Sequence, residues 1–158
     1  MGLASPCQPF TFAITIDGKG RVALPARYRD AFSAGNQSSF VVTIDTEEKC
    51  LLLYPAMEWQ VIEDKLQDLP SFNPLARRIQ RLLVGHATDV ELDASGRLLL
   101  PPILREYAQL DKKVVMIGQS NKFEVWSDEL WQARREQWLR EEAAATSSLP
   151  EEMKTFSL

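Results

Sequence analysis

The chain of 158 residues is 45% hydrophobic and 25% charged, material for one core or two very small ones. Its 18 basic and 22 acidic residues leave a net charge of −4, which excludes a protein that coats nucleic acid with an all-round positive surface. No apolar run approaches the ~18 residues of a membrane span, so no membrane partner is expected.

Residues 1–10 carry neither the basic nor the apolar region of a signal peptide. Cys7 and Cys50 are too few for a disulfide framework and lack CxxC spacing. Both facts point to the cytoplasm, with Cys7 in a loose arm and Cys50 in a buried strand. Phe12, Ile14 and Ile16 then alternate as a strand that runs into the turn Asp17-Gly18-Lys19-Gly20-Arg21. Gly20 can take the positive φ that such a reversal needs. A second strand covers Arg21 to Leu24, and Pro25 opens a short helix with Leu24, Tyr28, Ala31 and Phe32 on one face. Two more strands, Phe40–Ile44 and Cys50–Tyr54, complete a unit of 11–59.

A helical connector over 60–86 follows. Its first helix, entered at Pro55 and ending near Leu69, is expected to bury a stripe of Met57, Val61, Ile62, Leu66 and Leu69. Asn73 caps a second helix with Pro74 at its first position. That helix sets Leu75, Ile79, Leu82 and Leu83 on one side and Arg77, Arg78 and Arg81 on another. His86, the one histidine, reads as a helix-end packing residue.

At Val90 the pattern starts again. Asp93-Ala94-Ser95-Gly96-Arg97 repeats the first turn at an offset of 76, and Asp17/Asp93, Gly20/Gly96, Arg21/Arg97, Pro25/Pro101 and Arg29/Arg105 are identical. The short helix recurs with Leu100, Leu104, Tyr107 and Ala108, and the closing strands with Lys113–Gly118 and Lys122–Trp126. The register persists to Trp59 and Trp131, where the offset has slipped to 72 through lost loop residues. This is a duplication, with the second unit at 87–131. A helix over 132–145, begun near Ser127, and a flexible tail over 146–158 end the chain. Neither unit can bury much alone, so the two are expected to share one core with pseudo-twofold symmetry.

Charge follows the repeat. Segments 1–36 and 72–113, which hold the two turns, each carry +2, whereas 37–71 carries −5 and 114–158 carries −3. Across each turn the aspartate and arginine are placed to pair bidentately. For one such turn, a scaffold that pins the reversal is the stronger reading, and duplication copies scaffolds as readily as sites. The first tip tilts the balance, because Lys19 and Arg21 put two cations on a glycine-flanked loop suited to phosphate or base edges. The second tip keeps only Arg97, so the first is expected to contact more. Other chemistry is absent: there is no metal-ligand spacing, no P-loop and no nucleophile–base set, so no enzyme, cofactor or small-molecule substrate is expected.

The paired turns, with Leu51-Leu52-Leu53-Tyr54-Pro55, Arg77-Arg78-Ile79-Gln80-Arg81 and Lys122-Phe123-Glu124-Val125-Trp126 around them, make the chain resemble the MraZ family of bacterial transcriptional regulators, from about Thr11 to Trp138. The resemblance implies an α+β fold: two tandem AbrB-like (SpoVT-AbrB) swapped-hairpin units forming one β-barrel-like core decorated by helices. It implies a cytoplasmic, nucleoid-associated repressor of its own promoter, which heads the division and cell-wall gene cluster. Such proteins bind short direct G-rich repeats in double-stranded DNA as ring-like homo-oligomers, octameric or larger. Carried onto this chain, the contacts fall on Lys19 and Arg21, with Arg97 weaker, while Asp17, Gly20, Asp93 and Gly96 shape and orient the turns. The family's usual Met-Phe-Arg-Gly start has no counterpart in Met1–Phe10, which lacks that cation. The alternative is an antitoxin-like AbrB module that binds a protein through the acidic stretch Glu136 to Glu152.

Overall fold

The structure, a computed structural model, describes residues 10–29 and 38–145. The arm with Cys7, the end of the first short helix with Ala31 and Phe32, and the tail over 146–158 lie outside the described residues. The chain divides into two compact units, Met1–Asp128 and Glu129–Leu158.

In the first unit the strands are β1 (Thr11–Thr15), β2 (Arg21–Ala23), β3 (Ser39–Ile44), β4 (Leu51–Pro55), β5 (Thr88–Glu91), β6 (Arg97–Leu99), β7 (Lys113–Gly118) and β8 (Phe123–Ser127). The helices are α1, described over 26–29, α2 (Ala56–Gln67), α3 (Pro74–Gly85) and α4 (Pro102–Tyr107). Six strands form one antiparallel sheet in the order β1-β7-β8-β4-β3-β5, and β2 and β6 form a separate ribbon. Hairpins β3–β4 and β7–β8 stay within a copy, but β1 pairs with β7, β5 with β3, β4 with β8 and β2 with β6. Exchanging the two copies leaves this set of pairings unchanged.

The sheet is open, which corrects the expected barrel-like closure. Its edges are β1 and β5, and among the described residues the one isolated bridge, from Ile16 just past β1 to Val22, links the β1 end of the sheet to the ribbon. The cause is local. Each ribbon strand is squeezed to three residues between a glycine turn and a proline, and a proline has no N–H to extend a ladder. So short a strand pairs fully on one side only.

Alternation sorts the side chains. Phe40, Val42, Leu51, Leu53, Val114, Met116, Phe123 and Val125 face the ribbon and join Val22, Leu24, Leu98, Leu100 and Leu104 in one core drawn from both copies. Tyr28 packs edge-on between Phe12 and Phe123, with ring centroids 5.5 and 4.9 Å away. On the other face Val41 and Tyr54 meet Trp59 and Leu66 of α2, together with Ile79 and Leu83 of α3.

The buried stripe of α2 differs from the expected one: Trp59, Ile62, Leu66 and Leu69 point inward, while Met57 and Val61 are exposed. Positions 59, 62, 66 and 69 recur at helical spacing, and 57 and 61 fall on the opposite side of that cylinder. In α3 the cap forms as expected, since Asn73 Oδ1 accepts from the Leu75 and Ala76 amides at 2.9 and 3.3 Å. Leu75, however, is exposed and Ala76 takes the buried place. Thr43 Oγ1 donates to the Leu83 carbonyl at 2.7 Å, so the buried hydroxyl of β3 is satisfied by α3. His86 caps the end of α3, and its Nδ1–H donates to the Leu82 carbonyl at 2.7 Å.

The second unit is the body of α5 (Asp128–Ala144), none of whose residues is fully buried. Within it Trp131 and Trp138 meet edge-on at 6.2 Å, and the Arg134 guanidinium lies 4.8 Å from the Trp138 ring. Among the described residues, no helix is long and apolar enough to cross a membrane.

Candidate nucleic-acid interface

Both Asp-x-x-x-Arg turns close in the same way. The Asp17 amide donates to the Arg21 carbonyl at 2.9 Å and the Gly20 amide to the Asp17 carbonyl at 3.0 Å, and the second turn repeats these bonds at 2.8 and 2.9 Å. Gly20 has φ +90° and Gly96 φ +76°, values that residues with a Cβ rarely adopt. Each aspartate adds a side-chain clamp. Asp17 Oδ1 accepts from the amides of Lys19 and Arg21, both at 2.9 Å, and Asp93 Oδ1 accepts from those of Ser95 and Arg97 at the same distance.

That clamp prevents the expected bidentate pair. With Oδ1 taken by amides, Asp17 offers Oδ2 to Arg21 Nε at 2.8 Å. Of the five N–H donors of the Arg21 guanidinium this contact uses one; among the described residues its Nη nitrogens make no hydrogen bond, and the Asp93 carboxylate acts on the group by charge alone. In the second turn Arg97 Nε approaches Asp93 Oδ2 at 3.3 Å without hydrogen-bond alignment, and Arg97 Nη1 lies 3.6 Å from Asp17 Oδ2. Asp17 thus serves the arginines of both copies, and Arg97 is held by charge rather than by a directed bond.

The ribbon sets where these groups point. Register pairs Arg21 with Leu99, Val22 with Leu98 and Ala23 with Arg97. Val22 and Leu98 face the core, so Arg21, Ala23, Arg97 and Leu99 share the outer face. Lys19 is exposed at the tip beside them, in no ion pair among the described residues. Every site residue singled out in the sequence therefore falls in one neighbourhood: Asp17, Asp93, Arg21 and Arg97 in a linked charge cluster, Gly20 and Gly96 at its bends, and Lys19 at its rim.

Two residues of this neighbourhood escaped assignment. The Arg105 side chain lies against Gly20, and that of Arg29 against Gly96. Their signal was present in the sequence as identity across the copies; what was missing was the crossing of each copy onto the other's turn.

The Asp17 carboxyl is held down to about 2, chiefly by the Arg21 amide, then by the Arg21 guanidinium and the Lys19 amide, against the opposing effect of partial burial. Asp93 is lowered too, by the Arg97 amide first, then, against partial burial, by the Ser95 amide and the charges of Arg97 and Arg21. A carboxyl whose pKa falls on folding contributes stability above its unfolded value and loses it as pH falls through the folded one. The first turn should therefore persist at about pH 3 and loosen only near 2. Titration of the carboxyl carbon by NMR checks this, and a midpoint near the ordinary value of 3.8 would contradict the clamp.

A second cluster lies elsewhere in the first unit. Donor atoms of Asp45, Cys50 and Glu124 stand within 4.8 Å of one another, the only such set of three among the described residues. Burial, with Glu124 and Asp45 nearby, pushes the Cys50 thiol far above its usual range. It stays protonated and donates to Asp45 Oδ2 at 3.6 Å. Glu124 is already occupied by the Trp126 indole N–H at 2.9 Å and the Gln119 amide at 3.3 Å. These contacts read as bracing of the β3–β4 loop.

Comparison with known proteins gives concordant findings. The family model described as "MraZ protein, putative antitoxin-like" matches twice, over residues 10–82 and 83–151. A protein of Legionella pneumophila (strain Corby) named "Transcriptional regulator MraZ" is 70% identical over 146 residues, covering 92% of this chain and 96% of its own. Relatives of the same name are 54% identical in Coxiella burnetii (strain Dugway 5J108-111), over 92% and 95% of the two chains, and 55% identical in Marinomonas sp. (strain MWYL1), over 82% and 86%.

Proposed function

The chain belongs to the MraZ family of transcriptional regulators, not to a family of enzymes, and from that premise we propose that it binds DNA sequence-specifically through the outer face of the β2–β6 ribbon. The observation that carries this reading is the state of Arg21. Asp17 fixes the guanidinium through Nε while the Nη pair is left for another acceptor. That fork matches O6 and N7 of guanine, and the major groove admits a two-stranded ribbon. Lys19 and Arg97 supply phosphate contacts that set orientation. Asp17 and Asp93 act by orienting arginines, since a carboxylate turned toward phosphate would repel it.

The protein is a repressor of its own promoter, at the head of the division and cell-wall genes, and works in the cytoplasm on the nucleoid. Its core is of the swapped-hairpin AbrB kind, a reading supported by the β1–β7 and β3–β5 pairings between copies. With a net charge of −4, one protomer binds weakly. A ring-like homo-oligomer, octameric or larger, places several tips on successive short direct repeats, so that avidity replaces a large basic patch.

Footprinting on DNA upstream of its own gene, at two salt concentrations, tests the proposal. Protection should fall on regularly spaced repeats. Six or more phosphate contacts in the assembly would lower affinity by about 10³ between 50 and 200 mM salt. Affinity equal to that for unrelated DNA would refute it. A second reading, an antitoxin-like protein-binding module, is favoured by the wording of the family description and by an α5 with no fully buried residue. Upstream DNA left unprotected, with a specific protein partner lost on deleting 146–158, would favour that reading.

A further inference from the structure

Arg29 and Arg105 stand four residues beyond Pro25 and Pro101, and neither braces the turn of its own copy. A Cβ on Gly20 would sit 2.5 Å from Arg105 Cζ, and one on Gly96 would come closer still to Arg29 Cδ. Arg29 Nη1 also donates to the Ser95 carbonyl at 3.3 Å, inside the second turn. Arg105 Nε donates to the Leu100 carbonyl at 3.0 Å, and the Leu100 amide in turn donates to the Gly20 carbonyl at 3.0 Å. The Leu24 amide makes the matching bond to Gly96. Each turn is thus walled and bonded by the other copy. Arg29 Nε is buried with no partner, so shape and the Nη1 bond hold this side chain at some cost in desolvation.

We propose that Arg29 and Arg105 are positioning residues for the DNA-contacting turns, each acting across the duplication: Arg105 sets the Lys19–Arg21 tip, and Arg29 sets the Ser95–Arg97 tip. A glycine at positive φ has little preference of its own to stay there. The flat guanidinium against it removes the alternatives, so the tip meets DNA already ordered and avoids an entropy cost on binding. A lysine has the charge but not the plane. The proposal rests on the DNA-binding reading above, and its test separates the two.

Glycine-selective ¹⁵N spectra and upstream-DNA affinity are measured on the full chain for Arg29→Ala, Arg105→Ala, Arg29→Lys, Arg105→Lys and Arg21→Ala. Arg105→Ala should move and broaden the Gly20 amide while leaving Gly96 in place, and Arg29→Ala should do the reverse. Each should weaken DNA binding about tenfold, a size usual for coupling between sites. The lysine variants keep the aliphatic stem and fold, and they should fail to restore affinity. The proposal is overturned if each alanine variant moves the glycine of its own copy, or if binding is unchanged in all four while Arg21→Ala abolishes it. If Arg21→Ala also binds normally, the DNA-binding reading falls and takes this one with it, whatever the spectra show.

Discussion

Replacing Arg21 by alanine is expected to abolish specific binding to upstream DNA while leaving the assembly intact. A bidentate arginine–guanine contact is worth about 1–3 kcal/mol, and an oligomer loses it once for every engaged protomer. A drop of at least about a hundredfold in specific affinity follows, with binding to unrelated DNA changed far less. The fold should tolerate the change. Arg21 is paired at the surface, where such a bond contributes at most about 1 kcal/mol. The two amide bonds to Asp17 Oδ1 use the backbone and survive the substitution. Gel shift and light scattering on the same preparation give both readouts. Unchanged specific binding removes the ribbon face from the mechanism.

The largest effect on stability is expected at Leu98, its neighbour Leu99 serving as the control. Leu98 is fully buried on the inner face of the ribbon, and Leu99 is 54% exposed on the outer face. Leu98→Ala should cost about 2–5 kcal/mol, from lost burial and the cavity left behind. That is a large share of the ~5–15 kcal/mol that stabilises a domain. Leu99→Ala should stay within roughly 0.5 kcal/mol. Chemical denaturation of the two variants measures the difference. Equal losses would mean that the ribbon register, Val22 against Leu98, is wrong.

What the sequence disclosed was local. The Gly20 and Gly96 bends and the Asn73 cap are each decided by residues within a few positions of one another, and each lies where it was expected. The second short helix starts one residue later than expected, with Pro101 as its cap and Pro102 at its first position. The inward turn of Val22 and Leu98 and the outward turn of Arg21 and Arg97 emerge from the ribbon itself; in the sequence, the alternation of Phe12, Ile14 and Ile16 was readable. Partnership was not. Phe12 and Ile14 mark β1 as half-buried, yet nothing in its five residues names Lys113–Gly118 as the strand it pairs with. Closure into a barrel failed for a related reason: strand length, set by the gap from glycine to proline, decides how many edges can be satisfied. On α2 the apolar residues Met57 and Val61 outvoted Trp59 in the pattern, because periodicity counts residues and burial selects only one face. At the candidate site the pairs Asp17–Arg21 and Asp93–Arg97 were legible as intra-turn neighbours. The Arg97–Asp17 contact and the reach of Arg29 and Arg105 exist only once the copies are crossed.

That crossing governs how the chain is made. The ladder partner of β1 is β7, about a hundred residues downstream, and β3 waits for β5 on its open side. At a synthesis rate of ~5–20 residues per second, β1 spends on the order of 5–20 s outside the ribosome before its partner exists. The first repeat cannot mature as a unit during translation, and high contact order makes the final closure slow. In that interval two nascent chains on one message can trade β1 strands, since the β7 of either chain presents the same edge. Ribosome spacing and chaperone cover thus become determinants of yield, and the finished protein dates from the emergence of its second half.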